Sequence, residues 1–116
     1  MQLDILTVNG IDTDGAVRRF AGKVEMYFKF LLRFTDDKYA EQLEQAVAAN
    51  DYEVAHMAAH TLKGVAANLG VNDIAEECQL MVNALRAHDY SDLDRLAKNV
   101  RASFDNACRV IHMAQE

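Results

Sequence analysis

The sequence contains no proline, and it has only five glycines among 116 residues. Proline breaks a helix because it lacks a backbone N–H, and glycine raises the entropic cost of forming one. A chain with so few of these residues favours long helices with few interruptions. Hydrophobic residues make up 51% of the chain, which argues against disorder. We therefore expect a single domain, residues 1–116, with a real hydrophobic core.

Cysteine and positive charge are also in short supply. Cys78 and Cys108 lie in apolar helical stripes, which is typical of buried thiols in a reducing compartment, so we expect a cytoplasmic protein. The net charge of −6 disfavours binding to nucleic acid or to an anionic membrane surface, because both reward clustered Lys and Arg. No stretch approaches the ~18 uninterrupted apolar residues of a membrane span.

Capping residues and helical periodicity divide the chain into helices. Residues 1–10 are weakly patterned, and the sequence leaves open whether they pack as an extended arm or fray. Asp12 or Thr13 is placed to cap a short helix that ends near Phe20. The first longer helix is predicted over residues 23–49, with a bend at 35–37. The second is capped by Asn50 or Asp51 and ends near residue 68, and the third covers residues 72–87 and is capped by Asn72. The last helix begins with a capping box at residues 91–94.

The connections between these long amphipathic helices are short, which favours antiparallel neighbours. In the last helix, apolar residues keep helical spacing over more than four turns: Leu93, Leu96, Val100, Phe104, Ala107 and Ile111. We therefore predict an all-α fold, an antiparallel up-down four-helix bundle with a short additional N-terminal helix.

Residues 60–70, HTLKGVAANLG, are the most informative stretch of the chain. An apolar stripe with spacings of four and three runs along one face of the predicted helix. A second face, which that stripe does not need, carries His60, Lys63, Gly64 and Ala67.

The residue types on the second face suit a group-transfer reaction. The neutral imidazole of His60 is a good nucleophile near neutral pH. Lys63 is one turn away and can bring positive charge to a phosphoryl group on that imidazole. Gly64 removes a side chain that would crowd the ring, although glycine inside a helix costs about 1 kcal/mol relative to alanine. That cost suggests that another molecule approaches closely here.

The run His60-Thr61-Leu62-Lys63-Gly64, followed by Ala66 and by Leu69-Gly70, resembles the signature of the histidine-containing phosphotransfer (HPt) domain family. The resemblance implies a histidine phosphocarrier of a multistep two-component phosphorelay. In that role His60 accepts a phosphoryl group from a receiver-domain aspartate and passes it to another. The implied partners are response-regulator receiver domains and a hybrid sensor kinase. The domain would be a monomer without an ATP site, hence not an enzyme.

The resemblance also implies that the receiver brings Mg²⁺, so that this chain needs no cofactor or metal of its own. In the family, a Gln or Glu that orients the imidazole often falls 22 residues after the histidine, and here that position is Val82. Counting across a turn at Gly70 places residues 79–82 opposite Lys63 and His60. Gln79 is therefore a candidate to orient the imidazole in place of the Gln or Glu that the family has at the position of Val82. It is equally open that Gln79 is simply a surface residue with no such role.

The first half of the 23–49 helix is more apolar than a bundle interior requires. The short N-terminal helix can cover most of this surplus, and we expect the rest to bind the partner. Five residues are candidates for docking: Met26, Phe30, His56, Met57 and Ala67.

Other interpretations of the histidines are weaker. Glu53 and His56 have a spacing found in metal sites, but no second Glu-x-x-His exists, so we expect no metal site. A sensor-kinase fragment is disfavoured because kinase histidine boxes resemble a different pattern, with an acidic residue after the histidine and a nearby proline. The main alternative is a non-catalytic helical protein-interaction module.

Overall fold

The computed structural model describes residues 1–116, which form seven helices and no strand. The helices are α1 (Leu3–Val8), α2 (Thr13–Arg19), α3 (Val24–Phe34), α4 (Tyr39–Ala48), α5 (Tyr52–Asn68), α6 (Asn72–Arg86) and α7 (Leu93–Gln115). The prediction of an all-α fold is confirmed.

Helices α4 to α7 form a ring of neighbours around the core. Each of α5 and α7 packs against both α4 and α6, so every helix in the ring has two partners. The predicted apolar stripe of α7 is entirely buried and fills the centre of this arrangement. Helix α1 packs against α7, and α2 lies between α1 and α3. This arrangement of four helices leaves one face of α5 open to solvent.

The single helix predicted over residues 23–49 is wrong, because the structure divides it into α3 and α4. The Thr35 hydroxyl donates a hydrogen bond to the Leu32 carbonyl (2.6 Å), which occupies an acceptor at the end of α3. The Asp37 carboxylate accepts a hydrogen bond from the backbone N–H of Tyr39 (2.7 Å) at the start of α4. The polar residues between them therefore end one helix and begin the next, rather than bending one helix.

Residues 1–10 are neither an extended arm nor frayed, since residues 3–8 form helix α1. Leu6 is fully buried, and the backbone N–H of Gln2 donates to the carbonyl of Ala114 (2.6 Å). The Gln2 side chain also donates to the carbonyl of Glu116 (2.7 Å). These contacts join the two ends of the chain.

Two of the predicted helix caps form. Asp12 accepts a hydrogen bond from the backbone N–H of Gly15 and caps α2. Asp51 accepts from the backbone N–H of Val54 and caps α5. In both helices the side chain satisfies an N–H group that has no partner within the helix.

The other two predicted caps are wrong. Asn72 is the first residue of α6, and the residue before it, Val71, has no side chain that could accept a hydrogen bond. The capping box at 91–94 does not form, because the Ser91 hydroxyl bonds to Asp89 and the Asp92 carboxylate pairs with Arg95.

Candidate functional site

The exposed face of α5 carries two histidines one turn apart. The Asp51 cap starts the helix, and four of its five alanines face the core, so the polar residues at the intervening positions face outward. His60 is exposed and His56 is half-buried. Their rings are nearly parallel, at an interplanar angle of 4° with centroids 6.2 Å apart. Neither ring makes a hydrogen bond within the protein, so the nitrogens of His60 are open to an external group.

Lys63 lies half-buried beside this face, between α5 and α6. Its ammonium Nζ donates a hydrogen bond to Oε1 of Gln79 on α6 (2.9 Å). The amide Nε2 of Gln79 donates in turn to Oδ1 of Asn83 (2.8 Å). The contact shows that Lys63 and Gln79 lie at the same level of the two helices, as expected from a turn at Gly70.

These contacts correct the expectation that Gln79 orients the imidazole. Both ends of its amide are engaged by Lys63 and Asn83, so in this structure Gln79 does not bond to His60. Val82, at the position where the resemblance expects Gln or Glu, is fully buried in the core. Asn83 is a site residue that the sequence did not predict, although its spacing of four from Gln79 is a signal for such a contact.

Gly64 lies in open space on the same face of α5. A Cβ atom added at Gly64 would have no neighbour within 4 Å, apart from its own helix. The fold itself therefore does not need glycine here. The open surface is compatible with the close approach of another molecule to His60.

A groove of about 560 Å³ runs between α3 and α5 and reaches Gly64. Its apolar lining consists of Phe30, Phe34, Val65 and Leu69, and its polar lining of Arg33, Asp37, Asn68 and the backbone of Gly64. Phe30 is 40% exposed, and the guanidinium of Arg33 lies over its ring, 5.2 Å from the centroid. The groove joins an exposed aromatic surface to the face that carries His60.

The other predicted docking residues lie beside the groove or apart from it. Met26 shares a second, shallow groove with Phe30. Ala67 is exposed near the C-terminal end of α5, and Met57 is exposed near its N-terminal end. His56 and Met57 lie on the exposed surface of α5, farther from the groove. The role of these residues in docking remains a prediction.

The C-terminal end of α5 is anchored by residues of α2 and α3. The Arg19 guanidinium donates to the carbonyls of Ala67 (2.9 Å) and Asn68 (3.1 Å), which lack the usual helical N–H partner four residues on. The buried Tyr27 hydroxyl donates to the carbonyl of Leu69 (2.8 Å). Burial raises the pKa of Tyr27 well above its usual range, so this donor stays protonated. Sequence reasoning missed both anchors, because neither has a local pattern.

The remaining reactive groups do not form a second centre. No group of three or more His, Cys, Asp or Glu side chains is close enough to hold a metal ion. Burial raises the pKa of the Cys78 thiol to about 12, and that of the Cys108 thiol to about 11. Both thiols are therefore protonated at neutral pH and are poor nucleophiles.

The family model for the Hpt domain matches residues 31–110 of this chain. The chain belongs to the Hpt domain family. Hpt domains are phosphotransfer histidine modules of phosphorelays, where they interact with receiver domains and act as carriers rather than as catalysts. The match covers α4, α5, α6 and most of α7, and thus includes His60 and the side chains around it.

Comparison with curated proteins and with solved structures gives no match. None of the helices combines the length and the apolar character that crossing a bilayer requires.

Proposed function

We propose that this Hpt domain carries a phosphoryl group on His60, which it accepts from a receiver-domain aspartate and passes to another. The observation that supports this most strongly is the exposed imidazole of His60 on α5, which makes no hydrogen bond within the protein and has Lys63 one turn away and open space at Gly64. His88 is a poorer candidate because it lies beyond the C-terminal end of α6 and has no lysine within four residues on either side. His112 lies on α7, which is not a neighbour of α5 in the ring.

The proposed step is a phosphoryl transfer between two side chains. The P–O bond to the partner's aspartate breaks while a P–N bond forms to a ring nitrogen of His60. The carboxylate leaves with the electron pair of the broken bond, and the reverse step delivers the group to a second aspartate. Because the transition state is loose, the domain contributes mainly positioning and positive charge, the latter from Lys63.

The receiver is expected to supply the Mg²⁺ and the acidic pocket for this step. The Hpt chain contributes the nucleophile and one cation, and its sequence has no glycine-rich nucleotide motif. We therefore propose that it turns over phosphate only together with its partners, which are response-regulator receivers and the receiver of a hybrid sensor kinase.

We propose that the partner docks on the surface formed by the α3–α5 groove and the exposed face of α5. Five of the twelve Lys and Arg residues lie between residues 18 and 33, where Glu25 is the only acidic residue. Although the chain as a whole is acidic, this segment is basic and also exposes Phe30 and Met26. A basic and apolar surface favours a partner that presents acidic groups around an apolar contact.

Short connections within the ring of α4 to α7 support an antiparallel up-down topology for the bundle. The monomeric state and the cytoplasmic location also remain predictions.

The proposed function is tested by transfer of labelled phosphate from a panel of phosphorylated receiver domains in Mg²⁺. We expect acid-labile, alkali-stable label on the wild type and none on His60→Gln. The matched control is His112→Gln, which removes an exposed histidine of α7 and should be labelled like the wild type. Absence of label on the wild type from every receiver would favour the non-catalytic interaction module.

A further inference from the structure

Three side chains connect α5 and α6 beside His60 in one continuous row. Lys63 donates to Gln79 at 2.9 Å, and Gln79 donates to Asn83 at 2.8 Å. Gln79 and Asn83 are four residues apart and therefore share one face of α6, with Gln79 half-buried beside α5 and Asn83 exposed. The row rises along α6 from the level of Lys63 toward the level of His60, because the two helices are antiparallel.

The two hydrogen bonds have a fixed direction. A lysine ammonium has only donors, so it needs the carbonyl end of the Gln79 amide. The NH₂ end of that amide then faces Asn83, whose carbonyl oxygen accepts from it. Asn83 thereby stabilises the orientation in which Gln79 presents its oxygen to Lys63. The opposite orientation would turn an NH₂ group toward the ammonium.

We propose that Gln79 and Asn83 are positioning residues that hold the Lys63 ammonium beside His60 until a phosphoryl group arrives. The inference rests on the proposed role of His60. It assigns to two amides of α6 a task that differs from orienting the imidazole, and it fits the burial of an apolar side chain at Val82. Asn83 acts through Gln79, and Gln79 acts through Lys63.

The arrangement suits phosphoryl transfer because the Gln79 oxygen that accepts the hydrogen bond from Lys63 is uncharged. A free lysine side chain samples many rotamers, and holding it in place before the encounter reduces the order that must be created during transfer. A phosphoryl group carries much more negative charge than an amide oxygen. Lys63 can therefore leave Gln79 for the phosphoryl oxygens, whereas a carboxylate at position 79 would compete for it.

Three substitutions separate this role from a structural one. Gln79→Met keeps the length of the side chain and removes its hydrogen bonds. Asn83→Ala removes only the residue that orients the Gln79 amide. Gln79→Glu turns the hydrogen bond to Lys63 into an ion pair. It therefore preserves the contact between the helices but holds the ammonium back from the phosphoryl group.

The measurement is the single-turnover rate of phosphate transfer from a phosphorylated receiver, with receiver affinity and melting temperature determined separately. We expect Gln79→Met and Gln79→Glu each to slow transfer by about tenfold, the loss of one charged hydrogen bond in the transition state. Asn83→Ala should slow it less, by about threefold. Receiver affinity should stay the same in all three, and Gln79→Glu should not lower the melting temperature.

Two further variants complete the test. In a Lys63→Ala background, the substitutions at Gln79 and Asn83 should have no additional effect on the rate, because their action passes through Lys63. Asn99→Asp adds a negative charge at an exposed position of α7 and is the control for a general effect of charge, with an expected wild-type rate.

The outcomes distinguish this inference from the proposed function. If the wild type is labelled on His60 but Gln79→Glu transfers phosphate at the wild-type rate, the positioning role is wrong and the carrier role stands. Full additivity of Gln79→Met with Lys63→Ala would also overturn it. If the wild type takes no phosphate from any receiver, the proposed function fails and the positioning role fails with it.

Discussion

Gly64 and Gly70 belong to the same motif, but their surroundings differ. Gly70 has φ = 79°, and a Cβ atom there would collide with the backbone carbonyl of Asp12. Gly64 is helical and has no neighbour that a Cβ would touch. The fold therefore requires glycine at position 70 but not at position 64.

We predict that Gly64→Ala stabilises the protein and slows phosphate transfer. Alanine should raise the free energy of unfolding by about 0.5–1 kcal/mol, because glycine is unfavourable inside a helix. The added methyl group would lie where the phosphoryl group approaches His60. Chemical denaturation and the receiver transfer assay measure the two effects.

Gly70→Ala is the matched control for this substitution. It should lower the free energy of unfolding by more than about 1 kcal/mol, because its backbone conformation and its surroundings both exclude a Cβ. Unchanged transfer in Gly64→Ala would show that this glycine does not provide access to His60.

At the scale of the helices, the sequence predicts correctly the helices whose residues recur at helical spacing. The stripe of α7 and the second face of α5 repeat every three or four residues, and both predictions agree with the structure. The same spacing is enough to assign His60, Lys63 and Gly64 to one face of a helix. Counting across Gly70 also predicts the observed register of Gln79, since the connection is short.

Other features depend on contacts that no local pattern records. Helix α1 is short, and it is stabilised by the burial of Leu6 and by the contact of Gln2 with the end of α7. The break between α3 and α4 arises where the Asp37 carboxylate accepts a hydrogen bond from the first backbone N–H of α4. The predicted contact between Gln79 and His60 is wrong, because the register shows which residues of α5 and α6 lie at the same height but not the direction in which each side chain points.

The α3–α5 groove gives the docking surface its clearest test. We predict that Phe30→Ser weakens receiver binding by about tenfold, the loss of one well-packed aromatic contact at an interface. Titration calorimetry with a receiver domain measures the change. Melting temperature should fall only slightly, because Phe30 is already 40% exposed.

Val8→Ser is the control for docking, since Val8 is 80% exposed on α1, which packs against α7. It should leave receiver affinity unchanged. Equal affinity of Phe30→Ser and the wild type would indicate that the surplus apolar surface of α3 belongs to the core alone.

At the scale of the whole molecule, stability should carry a pH dependence from Glu77. Burial raises the pKa of this carboxyl group above its ordinary value of 4.5, although the nearby Ser103 hydroxyl partly offsets the effect. Its Oε2 atom is buried without a hydrogen-bond partner. The folded state therefore binds the proton more tightly than the unfolded state, and the stabilisation present at low pH is lost as the pH rises through the raised pKa.

We predict that Glu77→Gln raises the melting temperature at pH 7, because it removes a desolvated carboxylate. The advantage over the wild type should shrink as the pH falls through the raised pKa, and it should be smallest below the ordinary carboxyl pKa, where Glu77 is protonated in both states. Thermal melts across this range measure it, and Glu44→Gln, at an exposed carboxylate of α4, is the control. A difference between Glu77→Gln and the wild type that is independent of pH would contradict the assignment.

The central claim is that the open face of α5 is a phosphoryl-transfer site with His60 as its acceptor. The most direct test is to locate the phosphoryl group by peptide mass spectrometry under non-acidic conditions, after the wild type has reacted with a phosphorylated receiver. The account predicts phosphate on His60 and on no other histidine. Phosphate on His56, His88 or His112, with His60 unmodified, would contradict it.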